Sequence, residues 1–184
     1  MGHRTLRYVI ARIRLAIRHR LLPDEPWLAA GAVREIAQFL KPHHEAVEFG
    51  AGRSTLWLAR RCGRLVSVEH NPTWSEHVAA QLTAARMSNV DLRLRTTGAM
   101  YETAIDDVAA IDFALIDGRR RHCCAMRAAE RLRPGGMLVL DNAERYPATL
   151  NEDWRRFYST IATWPKIQHD NGVSRTDIWL RPAA

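Results

Sequence analysis

Residues 46–57 of the chain read Ala46-Val47-Glu48-Phe49-Gly50-Ala51-Gly52-Arg53-Ser54-Thr55-Leu56-Trp57. A short apolar run ends at two glycines, and two hydroxyl residues and an apolar pattern with helical spacing follow. This order predicts a strand, a tight turn and the start of a helix, which is how α/β proteins hold a nucleotide-like ligand. Gly50 can adopt a positive φ, and Gly52 lets a ligand approach the backbone near the free N–H groups of the new helix. The residues expected to contact the ligand are Gly50, Ala51, Gly52, Ser54 and Thr55.

Two features of this stretch differ from a dinucleotide-binding fingerprint. Thr55 occupies the position of the third glycine, and the strand carries an acid, Glu48, two residues before the first glycine. A carboxylate there suits an ammonium group better than a pyrophosphate. The chain at this point resembles the class I S-adenosylmethionine-dependent methyltransferases, whose first motif has the form acid-x-Gly-x-Gly. The resemblance implies that S-adenosylmethionine is the cofactor and that Glu48 lies at its methionine end. The alternative is a strand–helix turn whose glycines serve geometry alone.

The second motif is the strand 65–69, which ends in Glu69. Glu69 lies 17 residues after Gly52, close to the spacing of about 20 residues expected for a carboxylate that binds ribose hydroxyls. The alternative is a strand-end acid that faces water. His70 follows directly and is expected to flank the adenosine.

A third strand is predicted over residues 91–95, near the sheet edge, because polar and apolar residues alternate there. The following loop, residues 96–102, lies where the methyltransferase family contacts adenine. The usual acid is missing after this strand. Gly98 and Ala99 are therefore expected to supply backbone and apolar contacts to the adenine.

Residues 112–118 and 137–142 are predicted to be the fourth and fifth strands, separated by a helix over residues 121–132. The run Leu132-Arg133-Pro134-Gly135-Gly136-Met137-Leu138-Val139-Leu140 resembles the post-motif region of class I methyltransferases. The resemblance now covers residues 46–142 and implies an α/β fold. The expected fold is a Rossmann-like, seven-stranded, mostly parallel sheet with helices on both faces. Further along, we expect a helix over 151–163 and antiparallel strands over 167–169 and 176–180, joined by a turn at 171–172.

Acids at the far strand ends form a second group. Asp117 after the fourth strand and Asp141-Asn142 after the fifth resemble the metal site of catechol and caffeoyl-coenzyme A O-methyltransferases. That resemblance implies Mg²⁺ or Ca²⁺, bound by Asp117, Asp141 and Asn142, with Asp117 and Asp141 also catalytic. The family's lysine base is replaced here by Arg120, which stays protonated, so His122 is the expected substitute. The alternative is that Asp117 and Asn142 form hydrogen bonds to the methionyl part of the cofactor or between the strand ends.

Four arginines flank these strand ends, at positions 119, 120, 121 and 145. A cationic cluster beside an active cleft favours a small-molecule or glycan-like acceptor that carries a carboxylate or phosphate. The alternative is that these arginines are solvated side chains near a helix N-terminus and bind no acceptor.

The composition describes a globular chain. A length of 184 residues, with 47% hydrophobic and 26% charged residues, suits one domain with a sizeable core. The sequence has no run of about 18 apolar residues, which is the length that would predict a membrane-spanning helix. The three cysteines have no metal-ligand spacing, which indicates reduced thiols in a cytoplasmic protein.

Residues 1–26 form a separate basic segment ahead of the catalytic domain, which is expected to span 27–184. Residues 1–20 hold six arginines and no acid, so the rest of the chain carries a net charge of only +1. On a helix, one stripe collects Leu6, Val9, Ile10, Ile13, Ile17 and Leu21. The opposite side collects Arg4, Arg7, Arg12, Arg14 and Arg18. For the helix 4–22 three interpretations stay open: packing on the domain or a partner, peripheral contact with an anionic membrane, and nucleic-acid contact. A basic charge this local does not favour nucleic-acid binding by the whole protein.

These observations predict a methyltransferase that uses S-adenosylmethionine. One rival is a nicotinamide-dependent oxidoreductase on the related dinucleotide fold, which Thr55 and Glu48 disfavour. A second is a catalytically silent binding module that acts through its N-terminal helix.

Overall fold

The structure of the protein is a computed structural model that describes residues 9–10, 13, 16–17, 20–22, 25–145, 160–167 and 173–183. The helices that it defines from residue 25 onward are α1 Ala30–Phe39, α2 Arg53–Ala59, α3 Pro72–Ala84, α4 Gly98–Glu102 and α5 Arg121–Arg131. The strands are β1 Glu45–Phe49, β2 Arg64–Glu69, β3 Val90–Leu94, β4 Ile111–Ile116, β5 Leu132–Asp141, β6 Thr160–Ile167 and β7 Val173–Leu180. A short 3₁₀ turn, Ala143–Arg145, follows β5.

All strands belong to one mixed sheet with the order β3-β2-β1-β4-β5-β7-β6. Strands β1 to β5 pair in parallel, whereas β7 pairs antiparallel with both β5 and β6. The predicted α/β class with a mostly parallel sheet is confirmed. The strand order reverses between β1 and β4, and the carboxyl ends of parallel strands at such a switch point are where ligands bind.

The core lies on both faces of the sheet, because side chains of successive strand residues point to opposite faces. On one face, Phe49 and Ile116 pack against α5 through Cys124 and Ala125. On the other face, Phe113 and Leu115 pack against α1 and α2. These helices contribute Val33, Ile36, Trp57 and Leu58. Helices thus cover both faces of the sheet where β1 and β4 pair.

The C-terminal part of the fold differs from the expectation. Residues 160–163, predicted to end a helix, belong to β6, which ends at Ile167, the first residue of the predicted strand 167–169. Residues 168–169 lie outside the described residues. The β6 segment is rich in β-branched residues, and a short apolar run of this kind fits a helix and a strand equally well. Its pairing with β7 makes it a strand. The remaining residues of the predicted helix, 151–159, and the predicted turn at 171–172 lie outside the described residues.

Two boundaries between β3 and β5 also differ. The predicted loop 96–102 contains α4, whose N-cap Thr97 accepts a hydrogen bond from the Met100 N–H. Strand β5 begins at Leu132 and not at the predicted residue 137, so Pro134, Gly135 and Gly136 lie within the strand. Backbone hydrogen bonds between this segment and Arg181, each 2.9 Å long, hold it beside the chain that follows β7.

The described residues near the N-terminus expose the predicted apolar stripe. Val9, Ile10, Ile13, Ile17 and Leu21 are helical, and each is between 41% and 73% exposed. Among the described residues, no helix has the length and apolar character needed to cross a membrane.

Candidate cofactor site

A cavity of about 460 Å³ opens at the carboxyl ends of β1, β2 and β4. The glycine turn after β1 and the residues that end β2 and β4 line it, and Trp27 and Trp74 form part of its wall. Its volume is within the range of about 300–1,000 Å³ that small-molecule sites occupy. The cavity therefore lies at the switch point, where the sequence places the glycine motif.

The glycine turn approaches the end of β4 backbone to backbone. Gly50 has a φ of +100°, and a Cβ built on it would lie 2.6 Å from the Gly118 nitrogen. Backbone hydrogen bonds of 2.8 Å, from Gly50 to Val68 and from Asp117 to Phe49, hold this turn against β2 and β4. Only glycine satisfies both the positive φ and the close approach. Gly50 and Gly118 thus lie face to face at the floor of the cavity.

Glu48 does not face this cavity, in contrast to the expectation. Its side chain is fully buried beneath the turn, where it accepts hydrogen bonds from Ser54 Oγ, from Thr55 Oγ1 at 2.6 Å and from Ser67 Oγ at 2.5 Å. Thr55 is also buried and accepts a hydrogen bond from the Gly52 N–H at 2.8 Å. The carboxylate fixes the turn from below, because hydroxyls of the turn and of β2 occupy three of its about four acceptor positions. Ser54 lines the cavity, but its hydroxyl is bonded to Glu48.

The burial of Glu48 changes its acidity. Loss of hydration raises the pKa of the carboxyl to about 7, and hydrogen bonds from Ser54, Ser67 and Thr55 oppose the rise. The nearby charge of Asp117 adds to the increase in the pKa of Glu48. The hydroxyl groups around position 48 were visible in the sequence, but their convergence on one carboxylate depends on the register of β1 and β2.

Glu69 and His70 both line the cavity. Glu69 is only 3% exposed. Its Oε1 accepts a hydrogen bond from the Asn71 N–H at 2.8 Å and lies 2.9 Å from His70 Nδ1. Its Oε2 accepts no hydrogen bond from the described residues. A carboxylate fixed through one oxygen and lining the cavity suits a pair of ribose hydroxyls.

Gly98 and Ala99 are not brought to the cavity. Both are exposed positions of α4, and a Cβ at Gly98 would meet the Arg120 side chain at 3.2 Å. Arg120 in turn forms an ion pair with Glu102 of the same helix. Arg120 thus packs over α4 instead of leaving its backbone open to a ligand.

Two tryptophans line the cavity that the sequence did not assign to the site. Trp74 in α3 donates its Nε1–H to the Ala51 carbonyl at 2.7 Å. Trp27 precedes α1, and the Arg53 guanidinium stacks 5.3 Å from the centre of its ring. They are 44% and 54% exposed. Large apolar side chains left exposed beside a cavity are the signal that marks them, and this signal requires the structure.

A larger depression of about 710 Å³ lies at the β3 edge of the sheet. The guanidinium of Arg93 lies 2.7 Å from Asp91 and 2.6 Å from Asp107 there. These charges balance each other, so the depression offers a ligand little uncompensated polarity. The cavity at the switch point is the better candidate.

The structure brings Asp117 and Asn142 to one guanidinium, whereas His122 and the Asp141 carboxylate have other surroundings. Asp141 is 1% exposed and accepts a hydrogen bond from Thr176 Oγ1 at 2.7 Å, which ties β5 to β7. His122 is exposed on α5 and does not line the cavity. Asp117 lines the cavity, but its Oδ1 binds the guanidinium of Arg121 at 2.8 Å, and Asn142 Oδ1 binds the same group at 3.0 Å. Among the described residues, no group of three His, Cys, Asp or Glu side chains is arranged to hold a metal.

The four arginines near the strand ends differ in their surroundings. Arg120 and Arg121 bind Glu102 and Asp117, and Arg145 lies 3.7 Å from Glu144. Arg119 is exposed and lines the cavity. No carboxylate among the described residues lies within ion-pairing distance of it. The predicted cationic cluster thus contributes one arginine to the cavity wall.

The fold and this cavity define a Rossmann-like methyltransferase of class I. The parallel sheet has a glycine turn after β1, an acid at the end of β2 and a cavity across the switch point. The sequence matches the family model described as a methyltransferase domain over residues 47–143, more than half of the chain. The protein belongs to this methyltransferase family.

Solved structures with the same fold include the following three. A candidate O-methyltransferase from Klebsiella pneumoniae is 17% identical, with a TM-score of 0.68 over 95% of this chain and 97% of that one. A candidate methyltransferase from Streptococcus mutans, in complex with S-adenosylhomocysteine (SAH), is 15% identical, with a TM-score of 0.65 over 82% of this chain and 96% of that one. An rRNA methylase from Streptococcus thermophilus is 16% identical, with a TM-score of 0.65 over 80% and 92%. No curated protein matches the sequence. One of these proteins is named as an rRNA methylase, one as an O-methyltransferase and one without an acceptor, so the shared fold does not identify the acceptor.

Proposed function

We propose that the protein transfers a methyl group from S-adenosylmethionine to an oxygen atom of a small, anionic acceptor, which includes glycan-like molecules that carry an acid group. The single observation that carries the cofactor assignment is the Glu69 carboxylate at the end of β2. It lines the cavity with one oxygen free of hydrogen bonds from the described residues. Family membership supports methyl transfer as the reaction.

The residues around the cavity suit the parts of this cofactor. Glu69 would accept hydrogen bonds from the ribose hydroxyls, and His70 would lie beside the adenosine. Gly50 and Gly118 pack backbone to backbone and keep side chains out of the cavity floor, against which the cofactor would lie. Asp117 lies at the same floor, and its carboxylate, with Oδ1 bound by Arg121, would be the group nearest to the ammonium of the methionyl part.

The cofactor supplies an electrophilic methyl group on a sulfonium. The protein's share of catalysis is then alignment and exclusion of water from the reacting atoms. A general base matters most for an acceptor that must lose a proton. A carboxylate acceptor is already ionised at neutral pH and needs none.

The acceptor class is proposed from the charges around the opening. Arg119 borders the cavity and has no carboxylate partner among the described residues, and Arg53 stacks on Trp27 at the same wall. Guanidinium groups bind carboxylates and phosphates through paired hydrogen bonds. The two cations and the indole favour an acceptor with an acid group and a flat apolar part.

The experiment that tests the cofactor assignment is titration calorimetry with S-adenosylhomocysteine. Replacing Glu69 by Gln should weaken binding about 10- to 100-fold, because hydrogen bonds to a charged partner contribute about 1.5–3 kcal/mol. Glu76→Gln, on the exposed side of α3, is the matched control and should leave affinity unchanged. Tight binding of a nicotinamide dinucleotide, or equal affinity of the Glu69→Gln and wild-type proteins, would reject the assignment.

The same preparation tests catalysis with labelled S-adenosylmethionine and a panel of small acids, each paired with its neutral amide. Transfer is expected to the acids, and Arg119→Gln should raise their KM about tenfold. Arg64→Gln is the control, because Arg64 begins β2 and therefore lies at the opposite end of that strand from the cavity. Cofactor binding with no transfer to any compound, while the protein retains its cellular role, would favour the silent binding module.

A further inference from the structure

The guanidinium of Arg121 lies between the carboxyl ends of β4 and β5 with every N–H group engaged. Nε donates to the Gly118 carbonyl at 2.9 Å, and Nη2 donates to the carbonyl and to Oδ1 of Asp117 at 2.6 and 2.8 Å. Nη1 donates to Asn142 Oδ1 at 3.0 Å and to the Asp141 carbonyl. A guanidinium has five N–H donors, and all five have acceptors here. The side chain is 12% exposed.

These acceptors are the oxygens that a divalent ion would need at this position. Mg²⁺ and Ca²⁺ bind carboxylate, amide and carbonyl oxygens, and at the ends of β4 and β5 such oxygens come from Asp117, Asn142 and the Asp141 backbone. Arg121 already binds all three residues. The remaining candidate ligand, the carboxylate of Asp141, is buried and bonded to Thr176. The residues present therefore do not fit the metal that the resemblance to catechol O-methyltransferases implied.

Two residues next to Arg121 in the structure have a strained backbone conformation. Arg120, which precedes it, and Asn142, which supplies an acceptor, both have left-handed φ values, of 48° and 52°. Such a conformation costs a non-glycine residue free energy and persists where the surroundings enforce it. The hydrogen bonds from Arg121 to Asn142 and to the backbone on both sides provide that enforcement.

We infer that Arg121 is a built-in cation that takes the place of a divalent metal at the ends of β4 and β5, and that it positions Asp117 and Gly118 at the floor of the cofactor cavity. Arg121 holds the backbone carbonyls of both residues, and Gly118 faces Gly50 across that floor. It is a positioning residue, since it does not line the cavity itself. The cofactor part of this inference rests on the proposed function, whereas the metal part does not.

The first test uses the wild-type protein, so it does not depend on the folding of a variant. Mn²⁺ binding is followed by electron paramagnetic resonance, and S-adenosylhomocysteine affinity is measured in Mg²⁺, in Ca²⁺ and in EDTA. We expect no stoichiometric Mn²⁺ binding and the same affinity, within twofold, in all three buffers. The inference would be overturned if the wild-type protein bound Mn²⁺ stoichiometrically and the Asp117→Asn variant did not. It would also be overturned if the affinity of the wild-type protein for S-adenosylhomocysteine depended on Mg²⁺ or Ca²⁺.

The second test replaces Arg121 itself. Arg121→Ala should weaken S-adenosylhomocysteine binding at least about tenfold, because Asp117 and Gly118 lose their shared partner. Arg121→Lys keeps the charge but has fewer, unforked donors, so its affinity should be intermediate. The matched control is Arg127→Ala, on the same helix, whose guanidinium pairs with Asp106 at 2.8 Å on the surface.

The two tests separate this inference from the proposed function. If wild-type protein binds no S-adenosylhomocysteine at all, the proposed function fails while the Mn²⁺ result still decides the metal question. If wild-type protein binds it and a folded Arg121→Ala variant binds it equally well, the positioning role is rejected. Melting temperatures of all variants show which of them are folded.

Discussion

At the scale of single residues, Glu48 determines how the glycine turn is held. Its buried carboxylate gathers three hydroxyl groups, and one of them, Thr55, also binds the Gly52 N–H. A carboxylate beneath the turn leaves the turn's upper side to the ligand. The acid of the acid-x-Gly-x-Gly motif is therefore, in this protein, a support for the backbone of the site.

The raised pKa of Glu48 makes stability depend on pH. The carboxyl titrates near 4.5 in the unfolded chain, whereas the folded protein raises its pKa to about 7. Between these values the folded state holds the proton more tightly, so the free energy of unfolding falls as pH rises through this window. The loss is on the order of 3 kcal/mol once the carboxyl is fully ionised. Below about pH 4.5 the Glu48 carboxyl is protonated in both the folded and the unfolded states, so it adds no pH dependence to the free energy of unfolding.

Glu48→Gln tests this dependence, because the amide keeps the shape and cannot ionise. Urea unfolding of the wild-type protein should give a lower free energy of unfolding at pH 8 than at pH 5. The Glu48→Gln variant should lack the part of this difference that comes from ionisation of Glu48. Glu76→Gln, which is exposed, should behave as wild type. An identical pH profile for Glu48→Gln and wild type would show that Glu48 stays ionised across the range.

At the scale of structural elements, the turns after β1 and β4 act as one unit. Gly50 and Gly118 touch backbone to backbone, and a Cβ at Gly118 would overlap the Tyr101 hydroxyl. Two strand ends thus form the floor of the cavity without any side chain between them. A substitution at either glycine must move one turn away from the other.

Gly50→Ala should therefore reduce both stability and cofactor affinity. The positive φ alone costs about 1–2 kcal/mol for a non-glycine residue, and the overlap with Gly118 adds to it. The control is Gly135→Ala, because Gly135 has a φ of +80° but no atom within 4 Å of an added Cβ. We expect the control to lose only the strain energy in urea unfolding and to bind S-adenosylhomocysteine normally. Equal losses in the two variants would mean that the close approach of the turns is unimportant.

The same elements show what the sequence could predict and what it could not. The strand that ends in Glu69 and the turn at Gly50 follow local patterns, and both were predicted at the correct place. The direction of the Glu48 side chain depends on register with Ser67 of β2, and the position of Arg121 depends on the meeting of β4, β5 and α5. Such contacts join residues far apart in the chain, so local spacing carries no signal for them. The sequence of β6 fits both helix and strand, and only pairing with β7 decides.

At the scale of the whole molecule, charge and exposed apolar surface both concentrate near the N-terminus. Residues 1–20 carry six of the seven net positive charges. Of the apolar stripe predicted there, Val9, Ile10, Ile13, Ile17 and Leu21 are exposed. Arginines opposite an exposed apolar stripe are typical of helices that lie on anionic lipid, where each basic residue contributes about 1 kcal/mol.

Deletion of residues 1–22 should therefore abolish binding of the protein to vesicles that contain anionic lipid. Full-length protein is expected to sediment with vesicles of mixed phosphatidylserine and phosphatidylcholine, and not with phosphatidylcholine alone, and high salt should weaken this binding. The substitution Ile13→Ser with Ile17→Ser is the matched variant, because it keeps every arginine but interrupts the apolar stripe. It should reduce sedimentation substantially, since neither charge nor apolar contact alone gives stable attachment. Equal sedimentation of the truncated and full-length proteins would rule out the lipid surface. If the full-length chain instead forms a dimer that truncation dissociates, a second copy covers the stripe.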